Sequence, residues 1–191
     1  MPDVLPVDES APFKKAKSPY GETKQHCEQM LKEDACHSVA LRYFNPIGSH
    51  STALIGDCSA DRPSNLVPII TEVAIGKRKE ITVFGDDYNT PDGTCIRDYI
   101  HVVDLAKSHV KAMDFLINNP GKHAFNVGTG IGISVLDAIK AFEQTNKLSI
   151  NYSIGPRRDG DIEQIYANSN LVEEKLGWVA KETLEQAMQS A

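Results

Sequence analysis

The sequence SVALRYFNPIG occupies residues 38–48. Its first seven positions are rich in β-branched and aromatic residues, and Asn45-Pro46 stops the run, which predicts a buried strand over 38–44. Asn45 therefore stands at the carboxyl end of a strand, where parallel α/β sheets place their ligands. The alternative interpretation is a turn asparagine that only binds backbone groups.

A helix is predicted upstream of this strand. Ser18-Pro19 is typical of an N-cap followed by proline in the first turn, and helical spacing continues to about Asp34. Tyr20 and Lys24 then lie one turn apart on one face. A positively charged lysine beside a phenol favours its deprotonated form, so this pair suits proton transfer with a carbon-bound hydroxyl. In the alternative, Tyr20 packs in the core and Lys24 reaches solvent.

Helices and short strands alternate along the rest of the chain, which predicts an α/β fold. The residues before the first helix, 1–17, are predicted to be loop, so we expect the chain to begin inside a larger structure. Downstream, strands are predicted at 81–84, 124–127 and 149–154, an apolar run is noted at 99–103, and helices are predicted at 65–75, 103–117, 134–145, 169–176 and 182–190.

Composition narrows the classes of partner. The 191 residues carry a net charge of −6, with 41% hydrophobic and 24% charged residues and a pI near 5.5, which argues against binding to nucleic acid or to an anionic membrane surface. No apolar run approaches the ~18 residues of a membrane span. The four cysteines (Cys27, Cys36, Cys58 and Cys95) form no CxxC pair, which favours free thiols in a reducing cytoplasm. His26-Cys27 and Cys36-His37 lack the spacing of a zinc site, and no metal is predicted.

Two basic segments are candidates for binding an anion. Arg97 lies between a polar turn and an apolar run, where a rigid guanidinium could bind phosphate; a salt bridge to Asp98 or Asp104 is the alternative. Arg158 and Asp161 lie in RRDGD (157–161), where the alternative is a solvated loop.

Gly128-Thr129-Gly130-Ile131-Gly132 lacks the last glycine of a GxGxxG motif. It is predicted to be a tight turn, with Ser134 as the N-cap of the next helix.

Taken together, six stretches resemble one family, the UDP-glucose 4-epimerases (UDP-galactose 4-epimerases) of the extended short-chain dehydrogenase/reductases. They are SPYGETK (18–24), LRYFNPIGSH (41–50), NLVP (65–68), ITVFGDDYNTPDGTCIRDYIHVVDLAKSHVKAM (81–113), FNVGTGIGISVLDAIKAFE (125–143) and RRDGDIEQIYAN (157–168). The resemblance covers nearly the whole chain. The family's Gly-rich NAD loop and first strands have no counterpart here, so the sequence looks like the C-terminal portion of such a protein.

The resemblance implies an α/β fold with two parts. Residues 1–60 would be the C-terminal remnant of a Rossmann cofactor domain, and 61–191 mainly the smaller UDP-sugar domain, with segments returning to the first. The implied activity is interconversion of UDP-glucose and UDP-galactose in galactose metabolism, by transient C4 oxidation with bound NAD. A homodimer when full-length and a cytoplasmic location are also implied. The alternatives are an inactive or UDP-sugar-binding-only fragment, and a related nucleotide-sugar decarboxylase or 4,6-dehydratase.

The resemblance also implies roles for individual residues. Tyr20 would be the catalytic base and Lys24 its partner at the nicotinamide ribose. Tyr43 and Phe44 would line the nicotinamide and the hexose. Arg97 and Arg158 would clamp the diphosphate, Asp161 would accept from the uridine ribose, and Ile165 would gate entry of N-acetylated sugars. Further contacts with the UDP-sugar are implied for Asn45, Asn65, Leu66, Val83 and Phe84, the last two near the uracil.

Overall fold

A computed structural model describes residues 2–16, 18–57 and 63–191. The helices are α1 (Pro19–Glu33), α2 (Leu66–Ala74), α3 (Val102–Asn118), α4 (Val135–Asn146), α5 (Asn170–Leu176) and α6 (Leu184–Ser190). The strands are β1 (Ser38–Tyr43), β2 (Asn45–Ile47), β3 (Ile81–Phe84), β4 (Ile96–Arg97), β5 (Tyr99–His101), β6 (Lys122–Val127), β7 (Ile133–Ser134), β8 (Tyr152–Gly155) and β9 (Gln164–Ile165).

Strand pairing is mainly parallel. β1 pairs with β6, β2 with β5, and β3 with β8, each in parallel. In the remaining sheet β4 lies between β7, which is antiparallel to it, and β9, which is parallel. Parallel pairs need long crossover connections, which the helices supply. The mixed α/β class predicted from the sequence is therefore confirmed.

Two hydrophobic clusters support these sheets. The larger one joins α2, β3, α4 and α6, with Ile70, Ile139 and Met188 fully buried. The smaller one joins β6, α3 and α5 around Phe125, Val127 and Trp178. Residues 38–43 contribute partly buried side chains to the smaller cluster through β1, so that cluster draws on both sides of residue 60.

The first helix confirms its predicted start and end. Ser18 accepts a hydrogen bond from the backbone N–H of Gly21 at 3.1 Å, as an N-cap does. The face of α1 that contacts the rest of the protein was not predicted from its apolar residues. No residue of α1 is buried, and Tyr20 and Leu31, which share the apolar stripe, are exposed. Polar contacts from Gln25 and Glu28 hold the helix instead.

Tertiary pairing explains the other differences. β2 was not predicted because it contains Pro46, which cannot donate to a sheet. The strand predicted as buried, β1, is half-buried, since within the described residues it pairs only with β6.

Candidate active site

The proposed nucleotide-binding residues come together where several strands end. Arg158 donates to both carboxylate oxygens of Asp161, at 3.2 and 3.0 Å, and Arg97 lies 3.7 Å from the same carboxylate. Arg158 follows β8, Arg97 ends β4, and Asp161 precedes β9. The structure therefore gathers two arginines from the two predicted basic segments around the carboxylate of Asp161. Asp161 is the acidic partner of Arg97, and the alternative pairing of Arg97 with Asp98 or Asp104 is wrong.

Phe84 completes this group, which we call the arginine cluster (Phe84, Arg97, Arg158 and Asp161). The guanidinium carbon of Arg158 lies 5.1 Å from the centre of the Phe84 ring, which is 39% exposed. Its neighbour Val83 is 1% exposed and belongs to the larger hydrophobic cluster, so its side chain supports the strand from within.

The neighbouring arginine has a different environment. Arg157 donates to the Asp87 carboxylate at 2.6 Å and stacks 4.2 Å from the ring centre of Tyr88. Burial raises the pKa of Tyr88 to about 12, so the phenol stays protonated beneath the guanidinium. These contacts tie the segment after β8 to the segment after β3, and they leave Arg158 to face Asp161.

Ile165 lies beside the arginine cluster. It belongs to β9 and is the register partner of Arg97 on β4. The Ile165 side chain is half-buried. The residue implied to gate the sugar and a residue implied to bind the diphosphate are therefore adjacent across one sheet.

Tyr20 and Lys24 lie in the first turns of α1. The Lys24 ammonium is 5.2 Å from the centre of the Tyr20 ring, and the Tyr20 side chain is 72% exposed. Within the described ranges, the Tyr20 hydroxyl has no hydrogen-bond partner, and no hydrogen bond or ion pair joins either residue to the arginine cluster. Tyr20 does not pack in the core, so the alternative given for it is wrong.

An ion pair fixes the position of this helix. Arg42 of β1 donates to both carboxylate oxygens of Glu28, at 3.0 and 2.5 Å. Burial alone would raise the pKa of Glu28, but the hydrogen bond and charge of Arg42, followed by those of Lys32, hold it below its ordinary value of 4.5. The Arg42 guanidinium also lies 4.9 Å from the ring centre of Phe13. These contacts were not predicted, although Arg42 lies within the motif that identified the strand.

Residues at the end of β1 connect α1 with the sheets. Tyr43 is 47% exposed and its ring centre lies 6.3 Å from that of His109. Phe44 donates its backbone N–H to Val127, at 3.2 Å. Asn45 donates its N–H to the carbonyl of Asp98, at 3.0 Å, and its side chain is exposed. Asn45 therefore lies beside Asp98, the residue that follows Arg97 in the chain.

Asn65 and Leu66 lie at the start of α2. Asn65 is the N-cap residue, but its side chain makes no capping hydrogen bond and is exposed. Leu66 is partly buried against the larger hydrophobic cluster. Within the part of the chain that is described, no hydrogen bond or ion pair joins them to the arginine cluster.

The Gly128–Gly130 turn holds an internal carboxylate. The Asp98 side chain is fully buried and accepts hydrogen bonds from the backbone N–H groups of Thr129 and Gly130, at 2.9 and 3.0 Å. Ser134 caps α4 by accepting from the N–H of Asp137, at 3.0 Å. The prediction of a tight turn followed by an N-cap is confirmed. Asp98 itself was missed as a candidate.

A surface cleft of about 260 Å³ lies beside this turn, lined in part by Gly128, Asn168 and Trp178. None of the predicted site residues lines it. The arginine cluster is the better candidate for an anionic ligand because it presents two guanidinium groups.

Cysteines and possible metal ligands were also located. Cys27 and Cys36 are exposed and Cys95 is buried, all as free thiols, while Cys58 lies outside the described residues. Over the ranges 2–16, 18–57 and 63–191, no group of three or more His, Cys, Asp or Glu side chains is placed to hold a metal ion. No helix in these ranges is long and apolar enough to cross a membrane.

The parallel strand pairs, crossover helices and charged residues at strand ends define a Rossmann-type α/β protein. The chain belongs to the family whose model is described as GDP-mannose 4,6 dehydratase, which matches residues 2–191.

The similar proteins of known name share one activity within this family. A UDP-glucose 4-epimerase of Drosophila melanogaster is 48% identical over 188 residues, covering 94% of this chain and 53% of the relative. The enzyme of that name from Homo sapiens is 45% identical over 185 residues, again covering 94% of this chain and 53% of the relative. The chain spans about half the length of the curated relatives it matches.

Solved structures give the same result. UDP-glucose 4-epimerase from Stenotrophomonas maltophila, with bound NAD and formylated UDP-arabinopyranose, matches with a TM-score of 0.95 at 46% identity. The match covers 98% of this chain and 57% of that one. The Bifidobacterium longum enzyme in complex with NAD+ and UDP gives a TM-score of 0.94 at 46% identity, over 99% of this chain and 58% of that one.

Proposed function

We propose that this chain carries the UDP-sugar-binding and proton-transfer residues of a UDP-glucose 4-epimerase, which interconverts UDP-glucose and UDP-galactose in galactose metabolism. The observation that carries the proposal is the convergence of Arg97 and Arg158 on the Asp161 carboxylate, which brings together β4 and the loop 157–161. The relatives named above support the choice of activity. A cytoplasmic location and a homodimer in the full-length protein belong to the same proposal.

In this proposal the arginine cluster binds the nucleotide. The diphosphate carries negative charge and planar sets of acceptor oxygens, which guanidinium groups bind in pairs. Arg158 exchanges part of its pairing with Asp161 for the phosphates, and Asp161 accepts hydrogen bonds from the ribose hydroxyls. Phe84 offers an exposed aromatic face to the uracil base.

Proton transfer at the sugar is assigned to Tyr20. Its phenolate accepts the proton of the sugar 4-hydroxyl and later returns it, while the positive charge of Lys24 stabilises the deprotonated phenol. Thr23 donates its hydroxyl to the Pro19 carbonyl at 2.9 Å, and so does not compete for the phenol.

NAD is the cofactor implied, and Tyr20 and Lys24 fit it. Both are unpaired with other charged or hydrogen-bonding side chains among the described residues, and both lie on one exposed turn. Lys24 would bind the nicotinamide ribose, while Tyr43 and Phe44 would line the nicotinamide at the end of β1. A bound NAD supplies the acceptor and donor of the C4 hydride.

Loose contacts with the hexose follow from this distribution of charge. The charged residues gather where the nucleotide binds, and exposed neutral side chains such as Asn45 and Asn65 remain for the sugar. Firm binding of UDP with weak binding of the sugar lets the oxidised sugar turn over and be reduced on its other face. Ile165 lies beside Arg97 and its side chain is of intermediate size. An assay with UDP-N-acetylglucosamine therefore tests whether this site accepts an N-acetylated sugar.

A dehydratase is the second candidate, because the matching family model carries that description. The FNPIG (44–48) and TPDGT (90–94) stretches favour the epimerase. A UDP-sugar-binding chain without activity of its own is the third.

Purification of the chain with three measurements separates these functions. Binding of UDP, NAD absorbance and conversion of UDP-glucose to UDP-galactose together support the epimerase. UDP binding without NAD or conversion supports the binding-only chain. Absence of UDP binding contradicts the proposal in every form.

A further inference from the structure

The buried carboxylate of Asp98 joins three segments of the chain. Its Oδ1 accepts from the N–H and the hydroxyl of Thr129, at 2.9 and 2.6 Å. Its Oδ2 accepts from the N–H groups of Gly130 and Ala167, at 3.0 and 3.1 Å. Asp98 is 0% exposed, so these four hydrogen bonds take the place of contacts with water at its carboxylate oxygens.

The turn that receives Asp98 is shaped for this carboxylate. A Cβ atom on Gly128 would lie 2.4 Å from Oδ2 of Asp98 and 2.8 Å from the Ala167 side chain. Gly130 has a φ of +77°, a left-handed conformation that glycine adopts without strain. Glycine at both positions lets backbone N–H groups approach the charge closely, as they would approach a bound anion.

Three segments that meet at Asp98, through its carboxylate or its backbone, each carry a residue of the proposed site. Arg97 is the preceding residue in the chain. Asn45 donates its N–H to the Asp98 carbonyl at 3.0 Å. Ala167 follows Ile165 by two residues, and Ile165 is the register partner of Arg97.

We propose that Asp98 is a positioning residue for UDP binding and acts through Arg97. The inference rests on the proposed function of the arginine cluster. A long side chain such as that of arginine loses conformational entropy when it binds a ligand. If its backbone is already fixed in the free protein, less entropy is lost on binding. Asp98 holds the backbone of β4 and β9, from which Arg97 and Ile165 project. Asp98 touches no reacting atom and is not a catalytic residue.

The test is titration of UDP into the chain and its variants by calorimetry. Asp98→Asn places an amide NH₂ against one of the two pairs of hydrogen-bond donors, and we expect UDP affinity to fall about tenfold. The matched control is Asp104→Asn. Asp104 is also a buried carboxylate, 1% exposed, and accepts from the N–H groups of Lys181 and Glu182 at 2.6 and 2.7 Å. Loss of stability without loss of UDP affinity is expected for this control.

A double-mutant cycle separates positioning from general loss of structure. If Asp98 acts through Arg97, Asp98→Asn lowers affinity far less in an Arg97→Ala background than in the wild type. Additive losses in the cycle overturn the proposal, as does unchanged affinity in Asp98→Asn. If wild-type chain does not bind UDP, the proposed function fails instead.

A milder variant decides the matter if Asp98→Asn does not fold. Thr129→Val removes the hydroxyl, which donates to Oδ1 and accepts from the N–H of Ile131 at 3.2 Å, and it keeps the backbone donor to Oδ1. We expect UDP affinity to fall about threefold, again with the loss suppressed by Arg97→Ala. A folded Thr129→Val protein with wild-type affinity contradicts the inference.

Discussion

Arg158 and Asp161 are joined at two points, with the arginine Nε and Nη2 atoms donating to separate carboxylate oxygens at 3.2 and 3.0 Å. This pairing raises the pKa of the guanidinium, a group that is already fully charged at neutral pH. It also fixes the orientation of the planar guanidinium, which can then donate paired hydrogen bonds to a phosphate.

Replacing Arg158 with lysine tests the need for this planar geometry. Arg158→Lys keeps the charge but loses the paired donors, and we expect UDP affinity to fall about tenfold. Arg157→Lys is the matched control, because Arg157 binds Asp87 and stacks on Tyr88. Calorimetry of both variants is the measurement. Equal losses in the two would show that charge alone, rather than the position of Arg158, matters.

Removing the Tyr20 hydroxyl tests its role in proton transfer. In any form of the protein that interconverts UDP-glucose and UDP-galactose, Tyr20→Phe should abolish the reaction and leave the melting temperature unchanged, because the hydroxyl has no partner among the described residues. The control is Tyr152→Phe, since Tyr152 is an exposed tyrosine of β8, and this variant should keep activity. An active Tyr20→Phe protein would remove Tyr20 from the mechanism.

The Glu28–Arg42 pair predicts a pH-dependent contribution to stability. Because the folded-state pKa of Glu28 is lowered, the pair stabilises the fold above about pH 4.5 and loses its effect as pH falls through that lower value. Glu28→Gln should cost about 1–2 kcal/mol of unfolding free energy at pH 7, with the difference from wild type shrinking in acid.

Denaturant unfolding at several pH values measures this difference. Glu174→Gln serves as the control, since Glu174 pairs with Lys175 on the surface and is 68% exposed. A Glu28→Gln cost that stays constant with pH would show that the carboxylate charge is not what stabilises α1.

Gly128→Ala tests the close approach of the turn to Asp98. The added methyl would lie 2.4 Å from Oδ2 of Asp98, so the carboxylate must move and lose hydrogen bonds. We expect a destabilisation of about 2 kcal/mol or more, measured by thermal unfolding. Gly56→Ala, with open space around the added atom, should have little effect. Equal stability of both variants would contradict the packing described here.

The sequence predicted those helix ends that depend on residues close together in the chain. Ser18-Pro19 predicted the start of α1, and Ser134 predicted the start of α4, because a cap is formed within a few residues. β2 and β4 depend on pairing with distant strands, and no short-range pattern encodes that. The burial of Asp98 was equally hidden, since its donors at Thr129 and Ala167 lie far along the chain.

For the candidate site, reasoning from the residues already singled out Arg97, Arg158 and Asp161 as ligand-binding candidates, and the resemblance assigned each its part of the UDP. Arg158 and Asp161 are three residues apart in one loop, whereas Arg97 is distant from both in sequence, and only the fold brings its guanidinium to the Asp161 carboxylate. The resemblance carried no information about which face of α1 packs, because that face is held by Glu28 and Arg42 rather than by an apolar stripe.

The most direct test of the account is a crystal structure of the chain with UDP. We expect diphosphate oxygens within hydrogen-bond distance of the guanidinium groups of both Arg97 and Arg158, with the uracil against Phe84. UDP bound instead in the cleft beside Gly128 and Trp178, with Arg97 and Arg158 still paired only to Asp161, would contradict it.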